Sequence, residues 1–83
     1  MSKSVNTPDY DRFRTLLIEA RQDAGLSQAQ LAARLSKPQS FVSKFERGER
    51  RLDVIEFRQI AEAIGVDVLG FLGKVYRLRE DSK

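Results

Sequence analysis

Apolar residues along the chain recur at steps of three and four and do not alternate, so the pattern predicts helices and no strands. Tyr10, Phe13, Leu17, Ala20 and Ala24 make one buried stripe on a helical period. Thr7 supplies an N-cap with Pro8 at the first helical position, and Gly25 stops the helix. A second helix opens at Ser27, where Gln30 completes a capping box, and Leu31, Ala32 and Leu35 form its apolar face. Ser36-Lys37-Pro38 interrupts, because a residue before proline is driven out of helical conformation. A third helix runs from about Gln39 to Arg47 and ends at Gly48. Asp53 and Glu56 box the start of a fourth helix, with Phe57, Ile60, Ala61 and Ile64 as its buried stripe and Gly65 as its stop. Asp67 caps a fifth, carrying Val68, Phe71, Leu72 and Val75. The expected fold is all-α, a compact bundle of five short helices. It forms one domain over residues 1–83, with an ordered core at about 9–76 and frayed ends at 1–7 and 79–83.

The second and third helices are joined by only about three residues, which is the helix-turn-helix arrangement. On the third helix, at 100° per residue, Gln39, Ser43, Arg47, Ser40 and Lys44 share one arc of about 140°. Phe45, Val42 and Glu46 fall on the opposite side, toward the other helices. The arc holds amide, hydroxyl and cationic groups and no carboxylate. Glutamine suits the paired donor and acceptor of adenine, and lysine suits the acceptors of guanine. Phe41 stands at the edge of the core, either supporting the helix or touching a thymine methyl; support is the preferred reading.

Composition narrows the chemistry. The 83 residues include no cysteine and no histidine, which removes zinc-finger, disulfide and thiol chemistry and the commonest general base. No phosphate-cradling glycine motif is present and the carboxylates sit at caps and surface positions, so catalysis, a metal site and a cofactor are not expected. No apolar run is long enough for a membrane span or a secretory signal, and a cytoplasmic location is expected. Net charge is +3. Residues 34–51 hold six basic residues (Arg34, Lys37, Lys44, Arg47, Arg50, Arg51) against Glu46 and Glu49, so the whole excess lies in this stretch. A local basic patch is the footprint of a polyanion partner.

Leu26-Ser27-Gln28-Ala29-Gln30-Leu31-Ala32, followed by Pro38-Gln39-Ser40-Phe41-Val42-Ser43-Lys44-Phe45-Glu46-Arg47-Gly48-Glu49-Arg50-Arg51, resembles the Cro/C1-type helix-turn-helix family. That family comprises phage repressors and xenobiotic-response-element-like bacterial regulators. The likeness spans about Tyr10 to Leu72. It implies a lambda-repressor-like domain that binds double-stranded DNA through helices two and three. It also implies base reading by Gln39, Ser40 and Lys44, with Ser43 nearby, and phosphate contacts from Gln28, Lys37, Arg47, Arg50 and Arg51. Arg21 and Glu46 match a structural salt bridge between the first and third helices. The family often has glycine where this chain has Ser36, which puts the turn's dihedral angles in doubt.

The implied role is a sequence-specific transcriptional regulator, most simply a repressor, with no small-molecule ligand. The alternative is an antitoxin-type or protein-interaction module that binds a partner protein as well as DNA. Leu69 and Tyr76 lie off the buried stripe of the fifth helix, and Leu78 extends it, so a symmetric homodimer through about residues 68–78 is expected, with Leu69, Leu72, Tyr76 and Leu78 as its surface.

Overall fold

The computed structural model describes residues 7–76. They form α1 (Pro8–Asp23), α2 (Gln28–Leu35), α3 (Gln39–Glu46), α4 (Val54–Ile64) and α5 (Val68–Tyr76). The frayed ends expected from the sequence fall outside the described residues, apart from Thr7, and Leu78 falls outside them too.

Four of the five helices begin where a side chain replaces a missing backbone partner. The Thr7 hydroxyl accepts from the Tyr10 amide at 3.1 Å. Ser27 with Gln30, and Asp53 with Glu56, close reciprocal capping boxes at α2 and α4. Asp67 accepts from the Gly70 amide at 2.6 Å at the start of α5. Pro38 opens α3 without a side-chain cap.

Two boundaries differ from the sequence reading. Ala24 is the C-cap of α1 and is exposed, because the helix has ended before that residue can return to the buried face. Arg47 is the C-cap of α3 and not its last helical residue.

The helix ends are tied down by arginines that periodicity alone does not single out. Arg12 donates to the carbonyls of Lys74 and Val75 in the last turn of α5. Arg14 donates to the carbonyl of Glu46 at 2.6 Å, and Arg34 to that of Ala63 at 2.8 Å. In each case a cation meets the unsatisfied, partly negative carbonyl end of a helix. The contacts lock α1 to α5, α1 to α3 and α2 to α4.

The core has a mainly aliphatic part and an aromatic part. Leu17, Leu31, Val42, Phe45 and Ile60 are almost completely buried where α1 to α4 meet. Phe13, Phe57 and Phe71 pack as a ring triad between α1, α4 and α5, with centroids 5.3–5.9 Å apart. α2 packs on both α3 and α4, so α3 rests on an element that is itself held from two sides.

The turn from α2 to α3 pivots on Ser36, whose backbone is left-handed (φ 57°, ψ 42°). Its amide donates to the Ala33 carbonyl and that of Lys37 to the Ala32 carbonyl, satisfying the end of α2. A non-glycine residue costs about 1–2 kcal/mol in this conformation. Ser36→Gly should remove that strain and lose part of the gain to the unfolded chain's extra freedom, for a net stabilisation of about 0.5–1 kcal/mol. Urea unfolding monitored by circular dichroism measures it, and an unchanged or lower midpoint would contradict the strain.

Candidate nucleic-acid interface

The amphipathic division of α3 follows from its sequence. Val42, Phe45 and Glu46 are buried, Phe41 and Ser43 are half-buried, and Gln39, Ser40 and Lys44 are exposed along the outer arc. Ser43 turns its hydroxyl back onto the Ser40 carbonyl at 3.3 Å. Gln39, Ser40 and Lys44 thus project from a helix whose opposite side is fixed in the core.

Beneath this arc lies a buried ion pair. Arg21 on α1 approaches Glu46 on α3 with Nε to Oε2 at 2.7 Å and Nη2 to Oε1 at 3.0 Å, a two-point contact. The third guanidinium nitrogen donates to the Leu26 carbonyl at 2.7 Å, so the same side chain fixes the lead into α2. Gln28, at the first position of α2, donates to Glu46 Oε1 at 2.9 Å, and Gln39 Nε2 stands 3.4 Å from Gln28 Oε1. Arg21, Glu46, Gln28 and Gln39 therefore form one connected set, whereas periodicity separated them onto three helices.

A second set gathers around the Phe41 ring. Lys37 from the turn and Arg50 from the following loop stand 5.2 and 4.9 Å from its centroid. Arg50 is held from its other side by a two-point contact with Glu56, at 2.6 and 2.9 Å. Arg51 stacks 4.2 Å over Tyr10, whose hydroxyl accepts from the Leu52 amide. Phe41 thus serves as a support shared by two cations. Tyr10, which the periodicity placed only in the α1 stripe, supports a third cation. A search for aromatic residues near basic ones in space finds both roles; a helical wheel of one element cannot.

The remaining residues of the basic stretch are distributed differently. Arg34 is committed to the Ala63 carbonyl and belongs to the scaffold. Arg47 faces Glu49 at 2.9 and 3.1 Å. That bond raises the pKa of Arg47 and lowers that of Glu49. Both groups are exposed, and such pairs are weak and screened by salt.

α5 turns Val68, Phe71, Leu72 and Val75 inward to differing degrees and leaves Leu69 and Tyr76 79% and 62% exposed. Val54 on α4 is also exposed, and Val54, Leu72 and Tyr76 line one shallow groove. The exposure of Val54 was missed because the sequence reading followed only the buried stripe of α4. Among the described residues no group of acidic, Cys or His side chains is arranged to hold a metal, and no helix is long and apolar enough to cross a membrane.

Five helices with a tight α2–α3 turn and a polar arc on α3 define a helix-turn-helix domain. A helix-turn-helix family profile matches residues 17–71. The XRE-family like protein from Pseudomonas syringae pv. tomato str. DC3000 is 52% identical. It superposes with a TM-score of 0.81 over 83% of this chain and 84% of that one. A mutant of the restriction-modification controller protein C.Esp1396I gives a TM-score of 0.79 at 19% identity, covering 88% of this chain and 92% of that one. The clp gene regulator ClgR from C. glutamicum gives 0.75 at 20% identity, with coverage of 90% and 96%. The last two likenesses concern the fold alone. A search of curated proteins finds no match. The chain belongs to the Cro/C1-type, XRE-like helix-turn-helix family of DNA-binding transcriptional regulators.

The Arg50–Glu56 pair has a pH signature. The guanidinium, and secondarily the Asp53 amide, hold the Glu56 carboxyl at a pKa of about 2, against an ordinary 4.5. A carboxylate with a depressed folded pKa stabilises fully above its unfolded value and loses that contribution as pH falls through the folded one. The loss therefore falls between about pH 4.5 and pH 2. Glu56→Gln, which keeps the capping box, should flatten the decline of melting temperature across that window. A decline as steep as that of the unsubstituted protein would rule the pair out as a contributor.

Proposed function

We propose that this chain is a sequence-specific repressor that reads the major groove of double-stranded DNA with α3. The observation that carries this reading is the outer arc of α3, where Gln39, Ser40 and Lys44 are exposed and no carboxylate intervenes. Gln39, Ser40 and Lys44 contact base edges, with Ser43 contributing near its bond to the Ser40 carbonyl. Gln28, Lys37, Arg47, Arg50 and Arg51 contact phosphates on either side, and the N-terminus of α2 adds its amides and positive dipole end. Occupying the site blocks other proteins from it, which is the simplest form of repression.

Two substitutions separate the layers. Gln39→Ala should cost roughly 1–3 kcal/mol on one base pair only, whereas Arg51→Ala should weaken cognate and random duplexes alike. With about four phosphate contacts per domain, log K should fall against log salt with a slope of about −3.6 for one domain bound and about −7 for a dimer. Fluorescence anisotropy with sites selected from random DNA reads all three quantities. A flat salt response, or equal losses for Gln39→Ala on cognate and random DNA, would refute the reading.

The functional unit is a symmetric homodimer through α5. What supports this is the stripe of exposed Leu69 and Tyr76 with half-buried Leu72 and Gly73 between them, whose members recur at steps of three and four, beside exposed Val54. Gly73 weakens a helix by about 1 kcal/mol relative to alanine. Its side-chain position meets nothing within 4 Å in this chain, which leaves room for a close approach by a second copy. Half-sites about 34 Å apart follow from the two-fold axis. Leu69→Glu should leave the melting temperature nearly unchanged, because the residue is exposed, yet convert a two-chain mass to a one-chain mass in light scattering at high micromolar concentration. A one-chain mass for the unsubstituted protein would refute the dimer.

A further inference from the structure

The Phe41 ring carries two cations, Lys37 and Arg50, and like charges brought together repel. One carboxylate answers both. Glu56 on α4 meets Arg50 at two points, and its pKa is lowered first by Arg50 and, in smaller part, by Lys37. We propose that Glu56, although acidic, strengthens DNA binding: it is the positioning residue that presents one edge of the Arg50 guanidinium to a backbone phosphate. The proposal rests on the assignment of Arg50 as a phosphate contact.

The N–H groups of Arg50 can be followed one by one. A guanidinium has five of them and accepts no hydrogen bond. Nη1 donates to Glu56 Oε1 and to the Arg51 carbonyl, both at 2.9 Å, and Nη2 donates to Glu56 Oε2 at 2.6 Å. What remains is the Nε hydrogen and the second Nη2 hydrogen. They lie side by side on one edge, which has no partner among the described residues. Two parallel N–H groups match two oxygens of a phosphate. The guanidinium carbon stands 4.9 Å from the centre of the Phe41 ring, so the group is held on a face as well as on its other edges. An arginine loose in solvent loses its rotamer freedom on meeting DNA, whereas this one has lost it beforehand.

Arg47 is the contrast. Glu49 takes the Nε–Nη2 edge of Arg47, at 2.9 and 3.1 Å, and that is the edge Arg50 keeps. Deleting the Glu49 charge should raise DNA affinity, as deleting a negative charge close to phosphates ordinarily does. Deleting the Glu56 charge should lower it. The opposite sign separates positioning from plain repulsion.

The test uses the full chain and a random-sequence duplex, because a phosphate contact carries no sequence information. Fluorescence anisotropy at one fixed salt concentration reads Kd. Arg50→Ala comes first: an unchanged Kd would remove Arg50 from the phosphate contacts, and the proposal would fall with that assignment. Where Arg50→Ala weakens binding, Glu56→Gln should weaken it by roughly 2- to 12-fold. This substitution keeps the oxygen that caps α4 and turns the other into a donor facing Nη2. An unchanged or tighter Kd would make Glu56 a cap of α4 alone and overturn the proposal. Combining the two substitutions shows what Glu56 acts through. In the Arg50→Ala background, Glu56→Gln should no longer weaken binding, since nothing is left to position. A loss of the same size there would trace the effect to the α4 scaffold and overturn the proposal. Glu49→Gln should tighten binding, and a loss matching that of Glu56→Gln would make the effect a general one of carboxylates near this face, with the same consequence. If Glu56→Gln does not fold, as its melting curve will show, Arg50→Lys decides. It keeps the charge without the fork and should weaken binding by a similar factor, and an unchanged Kd would overturn the proposal.

Discussion

The contact between Arg21 and Glu46 is the constraint on which the rest of the molecule depends. It is buried, made at two points, and joins the first helix to the third. Removing one partner of such a pair leaves an uncompensated buried charge and costs about 3–5 kcal/mol. A domain of this size has about 5–15 kcal/mol in total. The guanidinium also holds the Leu26 carbonyl, so α1, α2 and α3 meet at one side chain. A hydrophobic pair of the same volume would fill the space but would not fix the rotation of α3 about its axis. That rotation decides which side chains face outward.

The fold was largely legible in the sequence because the decisive signals are local. Ser27 with Gln30, Asp53 with Glu56, and Thr7 before Pro8 mark helix starts by hydrogen bonds within one turn, and each stands where the chain pattern placed it. The errors have local causes as well. Ala24 fits the apolar spacing, yet the helix ends a residue before it, and spacing carries no information about where a cap falls. Ser36 adopts the left-handed turn without the glycine that announces it.

The candidate site was legible in part. The outward arc of α3 follows from periodicity alone. The partners of the basic residues do not, since they come from distant segments: Tyr10 beneath Arg51, Glu56 against Arg50, Phe41 between Lys37 and Arg50. Counting charges in residues 34–51 treats all six as equivalent. In space Arg34 belongs to the end of α4, and Arg50 is oriented by Glu56. Arg12 and Arg14, outside the basic stretch, turn out to be structural by the same rule that claims Arg34, a guanidinium on a helix's last carbonyls. Tertiary contacts sort like residues into unlike tasks, and no single-element pattern can do so.

The exposure of the outer arc of α3 bears on how such a domain changes over generations. Ser40 and Lys44 touch nothing in the core, and substitutions at exposed positions of this kind usually alter stability by less than about 0.5 kcal/mol. Each can drift alone without risking the scaffold. Gln39 has no such liberty, because its amide leans on Gln28 and, through it, on the buried carboxylate. Of these three outward positions, two are free to vary singly, while the third is tethered to a neighbour that must vary with it.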